Sequence, residues 1–98
     1  MKDPVKVNVL WEDEKMSRLP SGTSYSTVAK FAEDVEKWPS DAWSVVLEFQ
    51  PETAKKRAFD ATARFLVSHA PWERLKPGCV FELYEGGRKT ATVNVVSS

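Results

Sequence analysis

Apolar and polar positions alternate along most of this chain. In residues 5–12, Val5, Val7, Val9 and Trp11 fall on one side and Lys6, Asn8, Leu10 and Glu12 on the other. Period-two patterning of this kind is the signature of a strand with one buried face. The alternation recurs over residues 42–50, where Trp43, Val45, Leu47 and Phe49 oppose Ser44, Val46, Glu48 and Gln50 until Pro51 ends the run. Phe59, Ala61, Ala63, Phe65 and Val67 then alternate with Asp60, Thr62, Arg64, Leu66 and Ser68, which predicts a long strand. Phe81 and Leu83 lead into Gly86-Gly87, and Ala91, Val93 and Val95 lead away from it. Two alternating runs around a Gly-Gly turn predict a hairpin.

Between Tyr25 and Trp38 the pattern supports two readings. Val28, Phe31, Ala32, Val35 and Trp38 recur at helical spacing, Ser26 or Thr27 offers a cap, and Pro39 supplies a stop. Spacing alone predicts a helix over 27–38. The competing reading is a short strand at Thr27–Phe31 followed by a charged loop over Glu33–Ser40. Elsewhere, Glu12-Asp13-Glu14-Lys15 reads as a solvated turn, and Leu19-Pro20-Ser21-Gly22 as loop chemistry.

Five strands with short turns and no crossover helices predict an all-β barrel or sandwich. The 98 residues make one domain, 1–98, with no room for a second core. Fourteen basic residues balance fourteen acidic ones, which argues against both a basic nucleic-acid sleeve and an acidic tail. The single cysteine, Cys79, cannot form an internal disulfide and fits a reducing compartment. Apolar runs fall far short of the roughly 20 residues of a membrane span, and no apolar signal region follows Met1. The expectation is a soluble cytoplasmic protein that makes no membrane contact.

Reactive chemistry is sparse. No phosphate-cradling P-loop, C-x-x-C or H-E-x-x-H occurs, so no cofactor or metal site is predicted. His69 and Cys79 offer a nucleophile–base pair on paper, but Cys79 adjoins the apolar run Val80-Phe81, where a small buried thiol is the ordinary expectation. Glu12, Asp13 and Glu14 lack the spacing and glycine of a calcium loop.

Four tryptophans are many for this length. Alternation places Trp11 and Trp43 in the core, whereas Trp38 and Trp72 fall in or beside loops, as core cover or as exposed anchors. Leu10, Val46, Leu66 and Tyr84 fall on the faces that alternation assigns to solvent. Brought together by neighbouring strands they would form an apolar docking patch; scattered, they mean nothing.

The run Lys76-Pro77-Gly78-Cys79-Val80-Phe81-Glu82-Leu83-Tyr84-Glu85-Gly86-Gly87-Arg88 resembles the closing hairpin of the third domain of elongation factor Tu, where a P-G-x-x-F strand runs into an R-E-G-G-R turn. Phe65-Leu66-Val67-Ser68-His69-Ala70-Pro71 resembles the strand and His-Pro corner before that hairpin. Arg18, Pro20 and Ser24-Tyr25 fall where the family carries a G-R-x-x-P loop and a Gly-Tyr step. The resemblance implies a small antiparallel β-barrel without the GTPase domain, and a strand rather than a helix at Thr27–Phe31.

In elongation factor Tu this domain contacts the T-stem of aminoacyl-tRNA and docks on the rest of the factor. Here Ala91 and Val93 replace the small glycines after the turn, and Ser26 stands where the Gly-Tyr step continues into arginine. Those changes and the zero net charge weaken tRNA binding through Arg88, Lys89, Arg64 and Lys76, since phosphate contacts need positive charge. Docking on a protein survives them better. The expected function is a non-enzymatic protein-binding module, with Tyr84, Trp72, Arg74, Arg88, Leu66 and Val46 as partner-binding residues. Its specialised form is an immunity or decoy protein against a toxin acting on or through translation; the alternative is a tRNA- or RNA-binding module.

Overall fold

The computed structural model describes residues 4–31, 43–67 and 69–97. Within them six antiparallel strands close into a barrel: β1 (Val5–Trp11), β2 (Ser24–Lys30), β3 (Trp43–Glu48), β4 (Ala58–Phe65), β5 (Val80–Glu85) and β6 (Arg88–Ser97). Around the ring the order is β1-β4-β3-β2-β5-β6, with β6 returning to β1. Short 3₁₀ turns occupy Asp13–Ser17, Thr53–Lys55 and Trp72–Arg74. Among the described residues no helix is long and apolar enough to cross a membrane.

The alternation carries directly into the barrel. Val5, Val7, Val9 and Trp11 point inward and are buried, and the intervening residues are exposed. Val45, Leu47, Phe59, Ala63, Phe65, Phe81, Leu83, Val93 and Val95 complete the filling. Ala29, Ala63 and Ala91 are fully buried, and their small side chains leave space for Trp11, Phe31, Phe65 and Phe81. Phe31 stacks on Phe81 with centroids 4.7 Å apart. Trp11 donates its indole N–H to the Ala54 carbonyl at 2.9 Å, which satisfies the one polar atom of a wholly buried ring.

Three sequence expectations are decided. First, of the two readings offered for the stretch after Tyr25, the strand implied by the resemblance holds and the helix does not: β2 pairs with β3 from Ser24↔Glu48 to Ala29↔Trp43, and with β5 from Val28↔Tyr84 to Lys30↔Glu82. Closing the ring outweighs the helical spacing, because without β2 both β3 and β5 would be open edges. With this sixth strand the sheet closes into the expected antiparallel barrel. Trp38 and the charged loop over 33–40 lie outside the described residues.

Second, β4 stops at Phe65 rather than running on to Ser68. Pairing with β3 ends at Val45↔Phe65, the Leu66 N–H donates to the Ser44 carbonyl at 3.0 Å, and Val67 is exposed instead of turning inward. Third, Lys15 does not lie in a solvated turn. Only 6% of it is exposed, and its ammonium is engaged inside the fold.

Candidate functional site

Because side chains fill the barrel, the surfaces available for recognition are its outer walls and two ends. The strand order decides which expected site residues meet. Tyr84 pairs with Val28 across β5 and β2, Val28 pairs with Ser44 across β2 and β3, and Ser44 accepts the Leu66 N–H at the end of β4. Tyr84, Val28, Ser44 and Leu66 therefore form one row around the wall β5–β2–β3–β4. Leu66 is 55% exposed, while Tyr84, Val28 and Ser44 are half-buried.

Val46 occupies the next outward position on β3, opposite Ser26 and Arg64. It faces this same wall, yet it is buried at 5% exposure and belongs to no part of the barrel core. The expectation of an exposed Val46 anchor is corrected accordingly. Leu10 lies on the far wall, between Ala58 and Thr92.

Trp72 and Arg74 close one end of the barrel beside this wall. Trp72 is half-buried against the core, its ring edge-on to Phe65 at 5.6 Å. The Arg74 guanidinium sits over the Phe31 ring, 5.4 Å from its centroid, within the range of a cation–π contact. The exposed His69 ring is edge-on to Trp43 at 5.6 Å. Cys79 packs against the core, and its N–H donates to the Lys76 carbonyl.

Arg88 lies at the opposite end, as the first residue of β6 after the hairpin turn, 3.6 Å from Glu14. Between it and the wall, Tyr84 donates its hydroxyl to Glu82 at 3.1 Å, and Lys89 bridges Glu82 at 3.1 Å and Glu12 at 3.7 Å. Burial and the hydrogen bond to Glu82 both raise the Tyr84 phenol above its ordinary value. Burial also pushes the Glu82 carboxyl up, but the bonds from Lys89 and Tyr84 outweigh it and leave the group below the usual carboxylate value.

The same end holds a polar cluster that sequence reasoning missed. Glu85 accepts from the Lys15 ammonium at 2.6 Å and from the Tyr25 hydroxyl at 2.5 Å, with Arg18 3.8 Å away. The Tyr25 hydroxyl also lies 2.8 Å from Thr90 Oγ1, and Thr90 donates to the Leu83 carbonyl. The cluster joins the Arg18 loop, the Tyr25 strand and the Glu85-Gly86-Gly87-Arg88 turn. No spacing rule connects residues this far apart; only their membership in separate short motifs hinted at it.

Comparison with models of protein families, with curated proteins and with solved structures finds no match to this chain.

Proposed function

We propose that this protein is a non-enzymatic binding module, a barrel like the third domain of elongation factor Tu, that acts by docking on another protein through its β5–β2–β3–β4 wall. One observation carries the reading: β5 and β2, together with the Leu66 N–H bonded to β3 just past the end of β4, set Tyr84, Val28 and Leu66 in a single row on the outside of the barrel. Apolar side chains set together on an outer wall suit recognition of a partner surface. Trp72 and Arg74 lie at one end of the barrel and Arg88 at the other. His69 and Cys79 each pack elsewhere, His69 on Trp43 and Cys79 on the core, which favours binding over nucleophilic chemistry.

Protein is favoured over RNA as the partner. Arg88, Lys89 and Arg64 already face Glu14, Glu82 and Glu48, so a phosphate would have to displace a carboxylate at each. The narrower form of the reading is an immunity or decoy protein that blocks a toxin acting on or through translation, a role that suits one small rigid domain.

The test is affinity capture with the wild type and with Leu66→Asp and Tyr84→Ala, at low and high salt. A protein retained by the wild type, lost by both variants and insensitive to salt supports the reading, provided the variants melt like the wild type. RNA retained only at low salt and released by Arg88→Ala would replace it.

A further inference from the structure

The wall opposite the proposed docking row is built differently. Across β5, β6, β1 and β4, one row runs Val80–Asn94–Asn8–Asp60 and the next Glu82–Thr92–Leu10–Ala58. On β1 and β6 the centre of this wall carries no charge: Asn8, Leu10, Thr92 and Asn94 fill it, with the exposed Val80 and Val96 beside them and the Asp60 carboxylate bordering it on β4. Leu10 is 41%, Val80 53% and Val96 58% exposed. The Asn8 amide is held in place by bonds to Asp60 Oδ1 at 3.3 Å and to the Phe59 carbonyl at 3.4 Å.

Along the central strand itself, charges stand only at its two ends, and with opposite sign. Read outward along β1 and one residue past it, the chain presents Lys6, Asn8, Leu10 and then Glu12. Lys6 is exposed and makes no ion pair among the described residues, whereas Glu12 has only the 3.7 Å contact with Lys89. A row that reads basic, amide, apolar, acidic is complementary to itself when reversed. A two-fold axis crossing β1 at the level of Val9 brings Lys6 of one copy to Glu12 of the other, twice, and sets Asn8 against Leu10.

We propose that this β6–β1–β4 wall is a self-association surface, on which a second copy of the chain docks with β1 antiparallel to β1. The arrangement is isologous, as two-fold dimers require. The uncharged β1 and β6 centre brings no like charges together when it meets itself, and the two symmetry-related Lys6–Glu12 pairs set direction and register. The dimer uses a wall distinct from the docking row and leaves that row free.

Sedimentation velocity over rising concentration of the full chain tests this. The wild type should shift from monomer toward dimer. Leu10→Asp, Lys6→Glu and Glu12→Lys should each stay monomeric with melting temperatures close to the wild type. The double variant Lys6→Glu/Glu12→Lys should dimerise again, because swapping both signs restores the pairing. Raising the salt should weaken the wild-type dimer, since exposed pairs are screened. A wild type that stays monomeric at every concentration overturns the proposal, as does a dimer indifferent to Leu10→Asp. A charge-swapped double variant that remains monomeric overturns the register.

Discussion

The Lys15 ammonium lies 2.6 Å from the Glu85 carboxylate, although 70 residues separate the two in the chain. This contact ties the 3₁₀ turn after β1 to the tip of the β5–β6 hairpin, and Tyr25 joins it from β2. Lys15 is nearly inaccessible, and its ammonium also lies 4.9 Å from the Tyr25 ring centroid. An ammonium that sheds water in this way depends on its counter-charge. Glu85→Gln is therefore expected to destabilise the fold by about 2 kcal/mol, below the cost of breaking a fully buried pair because Glu85 remains a third exposed. Lys15→Met, which removes the charge and keeps the packing, should cost about 1 kcal/mol or less. Urea unfolding of the two variants checks the asymmetry.

The cluster also sets an acid limit. Burial raises the Glu85 carboxyl, but the bonds from Lys15 and Tyr25 and the charges of Lys15 and Arg18 outweigh it, holding the group below its ordinary 4.5. The unfolded chain then takes up this proton at a higher pH than the folded one. Stability from Glu85 is complete above the ordinary carboxylate range and is lost as pH falls below about 4.5 through the folded value. Melting temperature against pH should fall on the acid side in the wild type and fall less steeply in Glu85→Gln.

An alkaline limit has the opposite sign. Burial and the bond to Glu85 push the Tyr25 phenol far above its ordinary 10.0, and burial with the Glu82 bond moves Tyr84 the same way. The unfolded chain loses these protons first, so their contribution is complete below pH 10 and fades as pH climbs toward the folded values. The chain has only two tyrosines. Phenolate absorbance of the native protein should lag behind that of the unfolded chain, and in Tyr25→Phe the single remaining transition should occur at a lower pH than the last wild-type step. A native titration that overlays the unfolded one would contradict the buried hydroxyl of Tyr25.

These residues mark the boundary of what the chain reveals before it folds. Val5 to Trp11 and the inward faces of β3, β5 and β6 were legible, because alternation is a local property and burial follows it. β2 was ambiguous by pattern: Val28 and Phe31 satisfy helical spacing, the resemblance alone favoured a strand, and the physical reason, pairing with two distant strands, lies outside the segment. The docking row was half legible. Tyr84 and Leu66 could be assigned to an outer face, but their meeting through Val28 and Ser44 depends on strand order, which no single strand encodes. Lys15 was misread because a lysine among acidic neighbours looks solvated until a remote glutamate claims it.

Trp72 and Leu66 separate structural from recognition roles within the proposed site. The Trp72 ring is edge-on to Phe65 and packs on the core, so Trp72→Ala should lower stability by about 2 kcal/mol, less than a fully buried tryptophan would. Leu66 projects from the wall and is 55% exposed, so Leu66→Ala should change stability by less than about 0.5 kcal/mol. Chemical denaturation distinguishes them directly. If Leu66→Ala unfolds as readily as Trp72→Ala, the leucine is packed in solution and the docking row loses its most exposed member.

The hairpin tip offers a backbone test between adjacent glycines. Glu85 pairs with Arg88, leaving a two-residue turn in which Gly86 has φ of +65°. An L side chain meets its own carbonyl in that region, so Gly86→Ala should cost about 1 kcal/mol although no neighbouring atom lies within 4 Å of the new Cβ. Gly87 has equally open surroundings and no positive φ, so Gly87→Ala should be neutral or gain a few tenths of a kcal/mol from a less free unfolded chain. Because Glu85 adjoins Gly86, distorting the turn should also loosen the Lys15 contact and raise amide exchange along 13–17. Equal stability for the two alanine variants would mean that the tip does not hold Gly86 in this conformation, and that the Lys15–Glu85 contact does not rely on it.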